Sequence, residues 1–594
     1  MADETARRRP RAAVIVIVGA VLLVGVGVAI AVRPGDPAER SPAEAPNPPD
    51  FGPNVTVLDP SMDPETIQAR VDAVFEAQES NQFGERRDAL LFAPGDYDAT
   101  VDVGFNTSVA GLGLSPDDVT ITGQVRVDAE WFDGNATQNF WRSVENLAIA
   151  PRDGPNRWAV AQAAPMRRVH VRGDLDLYPS GSGWASGGYI ADSIVDGRVA
   201  SGSQQQWFSR DSGFGSWEGS SWNMVFSGVT GAPLQSFPNP PFTVLDSTPV
   251  SREKPFLYLD AEGDYRVFLP DVRRDSAGAS WTGGETAGRS LPIDRFHIAQ
   301  PEDGAAGINA ALDSGLNLLL TPGVYRLDET IDVTRADTVV LGMGLATLVP
   351  QNGVDAMRVA DVDGARLAGF LIDAGPENSE VLLRLGDADS ARRHDANPSS
   401  LHDVYFRIGG AGPGRATTSL VVDSADVIVD HIWAWRADHG DGVGWEQNTA
   451  DTGVVVNGPN VVATGLFVEH YQKHQVLWNG ENGRTVFFQN EMPYDPPDQD
   501  AWRDGGSEGY AAYTVGDAVS RHELWGAGSY CYFTVDPSVR AARGFAVPEV
   551  PGVRLHGVLT VSLGGRGAID NVVNSSGDAV GPDFSGPSSV AVYP

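Results

Sequence analysis

The chain has 594 residues, 42% of them apolar and 20% charged, a globular composition with length enough for several domains and large cores. Its 78 acidic against 43 basic residues leave a formal net charge of −35, which excludes a general affinity for nucleic acid and accords with a soluble surface. A single cysteine, Cys531, excludes an intramolecular disulfide, and 68 Gly with 40 Pro spread along the chain point to short strands joined by tight turns.

Residues 1–11 are a basic tail containing Arg7, Arg8, Arg9 and Arg11, followed by the uncharged apolar run 12–32. Such a run spans a bilayer core of about 30 Å at about 1.5 Å per residue. The arginines predict a cytoplasmic tail and a large C-terminal part outside, held in the cell membrane by a single transmembrane or signal-anchor helix. Ala29-Ile30-Ala31 is also a signal-peptidase pattern, and cleavage after Ala31 makes the product secreted. Residues 33–54, rich in Pro and Ala, form a semi-extended linker.

Beyond the linker the sequence repeats itself. Leu90-Leu91-Phe92-Ala93-Pro94-Gly95-Asp96-Tyr97 returns as Leu318-Leu319-Leu320-Thr321-Pro322-Gly323-Val324-Tyr325. Val109-Ala110-Gly111-Leu112-Gly113 returns as Val340-Leu341-Gly342-Met343-Gly344, and the stretch Val144 to Ile149 as Leu367 to Ile372. A helical pattern precedes each Pro-Gly turn, at Pro64 to Ala77 and at Ala305 to Leu312. Features repeating in one order define two modules, 55–295 and 296–594.

Within each module short apolar runs alternate with Gly, Asn and Asp, and no helices intervene, which excludes a βαβ sheet. The spacing suits coils that bury their apolar face only by stacking, with the opening helix capping the first coil. The predicted fold is all-β: two tandem parallel β-helices.

Polar and aromatic residues are densest between Trp433 and Pro497. Glu469 and Glu491 end apolar strands one coil apart, so both carboxylates are placed to project from one face. Burial beside a like charge raises a carboxyl pKa, as a general acid needs, and aromatic rings beside carboxylates suit glycosidic bond cleavage. Solvated glutamates at strand ends are the plain alternative. Trp433 and Trp435 share a strand face, either against a sugar or in a core. Trp217 and Trp222 are predicted to be exposed. Asp438, His439 and Asp441 lack a further His or Cys at ligand spacing, so neither metal nor cofactor is expected.

Ala437-Asp438-His439, then Glu469-His470-Tyr471-Gln472, then Gln489-Asn490-Glu491-Met492-Pro493-Tyr494 resemble, in this order, the motifs of glycoside hydrolase family 55. In the first module Gln204-Gln205-Gln206-Trp207-Phe208-Ser209-Arg210 is similar to another stretch of that family. The resemblance implies right-handed pectate-lyase-like solenoids packed side by side and inverting cleavage of β-1,3-glucan or a related polysaccharide from chain ends. It implies Glu491 as general acid, and Glu469 with Gln205 or Gln206 positioning the attacking water. Inversion sets the carboxyl groups about 6.5–9.5 Å apart. His470, Tyr471, Trp478, Tyr494, Trp445 and Trp207, with Asp438, His439 and Asp441, are the expected substrate contacts. Met492 and Trp207 depart from the usual family residues. A monomer acting on polysaccharide, without nucleic-acid partners, is expected. The residues alone leave open a non-catalytic carbohydrate-binding protein, and rank a polysaccharide lyase last because the acidic region is poor in Arg and Lys.

Overall fold

The structure, a computed structural model, describes residues 49–181, 183–284, 286–388 and 390–594. The basic tail, the apolar run 12–32 and the linker as far as 48 lie outside the described residues; among those described, no helix is long and apolar enough to cross a membrane. The chain is already packed at Phe51, a buried ring set edge-on to Tyr265 at 5.2 Å.

The fold is mostly β and holds two large systems of parallel strands. In the first, a 15-stranded sheet runs from Val55–Leu58 through Asp88–Phe92 and Thr107–Gly111 to Phe242–Leu245. In the second, a 13-stranded sheet runs from Phe296–Ala299 to Val553–Ser562 and is closed by the antiparallel strand Ser588–Tyr593. The strands that alternate with these in the chain, from Ile331–Val333 to Phe545–Ala546, form an eight-stranded parallel wall. Within the second system most strands thus bond to one a coil away rather than to their chain neighbour, and the coils stack. Between the systems, the segment from Thr248 to Pro292 forms small antiparallel sheets.

The duplicated motif has one structural meaning in both copies. Helix α1 (Pro64–Gln78), N-capped by Asp63, buries Ile67, Val71 and Val74 on the first stack; α2 (Gly304–Asp313) buries Ala305, Ile308 and Leu312 on the second. After each Pro-Gly turn the tyrosine hydroxyl donates back across the first coil. Tyr97 reaches the carbonyls of Leu58 (2.9 Å) and Ala93 (2.7 Å), and Tyr325 those of Ala299 (2.7 Å) and Thr321 (3.0 Å).

The strand Ile428–Arg436 is buried at every position, because both of its faces are covered. Ile432 and Ala434 enter the core of the second stack, while Trp433 and Trp435 join Phe140, Trp141, Tyr189 and Phe208 of the first in a shared aromatic layer. Beside that layer lies a buried ionic cluster. Arg167 bonds Asp403 (2.8 Å) and Asp430 (2.9 Å), and Arg210 bonds Asp430 (3.1 Å) and Glu253 (2.7 Å). Burial alone raises the Asp430 carboxyl, but Arg210 and Arg167 outweigh it and hold the group well below the usual range. Trp217 and Trp222 are not free surface rings: each is partly buried and lies edge-on, 4.9 Å from Phe226 and from Tyr530 respectively.

Candidate active site

Strands Val462–Glu469 and Gly483–Glu491 are parallel neighbours with Phe467 opposite Gln489, so their terminal residues Glu469 and Glu491 fall on adjacent coils. Both carboxylates border a cavity of about 270 Å³. Glu469 is the deeper, 3% exposed; its Oε1 accepts from Gln162 Nε2 (2.9 Å) and its Oε2 from Trp433 Nε1 (2.8 Å). Gln162 comes from the first stack, and its own Oε1 accepts from the Ser186 hydroxyl at 3.3 Å. Glu491 has a side chain 14% exposed, its Oε2 accepting from the Tyr494 hydroxyl with His470 Nε2 at 3.9 Å. His470 Nδ1 donates to the Met492 carbonyl at 3.1 Å, which fixes the ring.

Burial and then the charge of Glu491 push the Glu469 carboxyl well above its usual range, against the donors Trp433 and Gln162. Burial likewise raises Glu491, opposed by His470 and by the Tyr494 hydrogen bond. Asp438 goes the other way: burial raises it, but the His439 hydrogen bond and the charges of His470 and His439 keep it low. A raised pair beside a carboxylate that stays ionised separates acid from anion within one pocket.

An exo-beta-1,3-glucanase from Streptomyces sp. (strain SirexAA-E / ActE) is 57% identical over 589 residues, which cover 99% of this chain and 97% of that protein. The chain belongs to glycoside hydrolase family 55. Residues 296–491 match the LAM55 pectate lyase-like domain. The solved structure of sacteLam55A from Streptomyces sp. SirexAA-E superposes with a TM-score of 0.91 at 59% identity, covering 92% of this chain and 99% of that one. A glutamate-to-alanine variant of sacteLam55A in complex with glucose gives a TM-score of 0.90 with the same identity and coverage.

In this family-55 chain the cavity gathers Glu469, Glu491, Asp438, His439, His470 and Tyr494 from the second stack, with Gln205 from the first. His439 pairs its Nδ1 with Asp438 (2.8 Å) and its Nε2 with Gln82 (2.6 Å). The kink at His470, φ 68°, takes the chain out of strand geometry just after Glu469, so consecutive residues face one cavity.

Six expected contacts lie elsewhere. Gln206 is buried and ties the stacks together, donating to the carbonyls of Phe488 (3.3 Å) and Gly526 (3.1 Å) and accepting from Tyr530 (2.5 Å). Trp207 is sealed in the core of the first stack. Trp478 lies in the core of the second, stacked on Tyr513 at 6.3 Å, and Tyr471 is buried with its hydroxyl on that of Ser419 (2.6 Å). Trp445 is half-buried with Arg436 5.7 Å from its ring centre, and exposed Asp441 caps its own turn at Gly442. The glutamine that touches Glu469 is therefore Gln162, not Gln205 or Gln206. Sequence reasoning missed Gln162 and Ser186, which sit in no recognisable motif.

Proposed function

We propose that the protein is an inverting, exo-acting β-1,3-glucanase, with Glu491 as general acid. Glu469 carries one N–H donor on each oxygen, which favours its ionised form in the resting site and leaves a second lone pair on each oxygen to accept a proton. Glu491 is the more exposed to the cavity, and its Oε1 makes no hydrogen bond among the described residues. The proton held by this raised pair therefore belongs on Glu491, facing the glycosidic oxygen. Glu469, with Gln162 and Ser186 beside it, takes the proton of the attacking water. The observation that carries the reading is this pairing: two raised carboxyls on adjacent coils, one held by an N–H donor on each oxygen and one with an oxygen open to the cavity.

A cavity of about 270 Å³ suits a chain end better than a threaded polymer, which supports exo action. The Streptomyces enzyme's activity and the glucose held by the sacteLam55A variant support glucan as substrate. The strand stacks fit a right-handed helical path, and the apolar run 12–32 supports export to where such glucans occur. Glu491→Gln is expected to cut glucose release from soluble β-1,3-glucan by roughly 10²–10⁴-fold with the fold intact by circular dichroism. Proton NMR is expected to show the α-anomer of glucose appearing first. Undiminished release from the variant, or the β-anomer first, overturns the reading.

A further inference from the structure

The strands that end in Glu469 and Glu491 begin on a different surface. Val462 and Arg484 stand near the starts of these strands, in register with Glu523 and Arg554 on the next two. This end of the stack borders a groove of about 750 Å³. Arg484 and Glu491 are 7 residues apart on one strand, so at about 3.3 Å per residue the groove lies about 23 Å from the catalytic pair.

The groove is basic on a chain whose net charge is −35. Two of its arginines are satisfied: Arg393 pairs with Asp426 at 2.7 Å and Arg484 with Glu523 at 2.6 Å. Arg274, Arg521 and Arg554 are exposed and carry no ion pair among the described residues. Arg274 and Arg554 are nevertheless held in place, donating to the carbonyls of Asp395 (2.6 Å) and Pro551 (3.1 Å), with further N–H groups left over. Three exposed arginines without an ion pair, gathered around one concavity, make an anion-binding surface.

The same groove offers partners for hydroxyls. Asn482 donates to Asn460 at 2.8 Å, one coil to the next, and the Asp395 carboxylate stands beside them on the lining. Its groups recur along the stack at about 4.8 Å per coil, so the surface suits a linear ligand running with the axis. Carboxylates within the groove oppose a polyphosphate, whose charge density is high. A uronate chain presents what this lining can bind, spaced carboxylates among hydroxyls.

We propose that this groove is a second carbohydrate site, which binds a linear uronate-type acidic polysaccharide. Its role is retention: a neutral glucan lying within an acidic matrix is met at higher effective concentration by an enzyme held on that matrix.

Affinity electrophoresis through gels containing polygalacturonate tests this, with uncharged dextran and single-stranded DNA as separate arms. The protein is expected to be retarded by polygalacturonate and not by dextran. The triple variant Arg274→Gln/Arg521→Gln/Arg554→Gln is expected to lose roughly tenfold in affinity. It is expected to hydrolyse soluble β-1,3-glucan at the unaltered rate, which also certifies its folding and keeps this test apart from that of the catalytic reading. No retardation, equal retardation of the variant, or tighter retention by DNA overturns the proposal.

Discussion

Gln162, on the first stack, donates to Glu469, on the second, across 307 positions of sequence at 2.9 Å. The bond joins the two modules at the candidate active site.

Removing that donor has a defined cost. Gln162→Ala leaves Glu469 with Trp433 as its single partner and breaks the line to Ser186. Loss of a hydrogen bond to a buried charged group costs about 1–3 kcal/mol, so kcat on β-1,3-glucan is expected to fall roughly 10- to 100-fold with KM near its original value. Steady-state kinetics with an unchanged melting temperature check it.

Tyr494 tunes the proposed acid. Its hydroxyl donates to Glu491 and favours the ionised carboxylate against the burial that raises the group. In Tyr494→Phe the Glu491 pKa rises further, so the protonated acid persists to higher pH. The alkaline limb of the kcat/KM profile is expected to move up, and a downward move contradicts the geometry.

The ionic cluster between the stacks is predicted to fail in one direction. Arg210→Met strips partners from Asp430 and Glu253, leaving charge buried without compensation. A loss of about 3–5 kcal/mol in unfolding free energy is expected. Asp430 has a lowered native pKa, so its stabilisation is present above the ordinary aspartate value of about 3.9 and is lost as pH falls towards the native value. Removing Arg210 raises that native value, and acid unfolding of the variant is expected to begin at higher pH. Urea titrations across pH read both effects.

The two coil-closing tyrosines are predicted to be equivalent. Tyr97→Phe and Tyr325→Phe each remove a hydroxyl that donates to two carbonyls. Each is expected to cost about 1–2 kcal/mol, with the double variant near the sum because the sites lie on separate stacks. Denaturant midpoints of the three variants test it.

The module repeat was legible because part of coil closure is local: the turn, the tyrosine and one acceptor carbonyl, Ala93 or Thr321, sit within a short span that the sequence repeats. Glu469 and Glu491 were legible because the coil length appears as their spacing in the chain, and parallel register preserves it. The aromatic contacts were not. Alternation along a strand decides which ring meets the cavity, and residues in left-handed conformation, such as His431 (φ 60°), His470 (φ 68°) and Phe487 (φ 69°), reset its phase without a sequence mark. Trp478 and Trp207 turn inward to cores, and Gln206 to the seam between the stacks. Gln162 and Ser186 were invisible for another reason: their roles arise from docking of one stack on the other, and no local pattern encodes a partner some three hundred residues away.

The layer shared by Trp433, Trp435, Phe140 and Trp141 has a kinetic corollary. Each stack is built almost wholly from contacts between successive coils and can wind up step by step, as a nearly one-dimensional object. The aromatic layer and the Gln162–Glu469 bond instead join segments hundreds of positions apart, so the entropy of bringing them together is met last. During refolding, strand signal therefore rises before turnover does. The lag between them times the docking of the two stacks, and glucose release becomes a clock for an event that spectroscopy of the strands passes over.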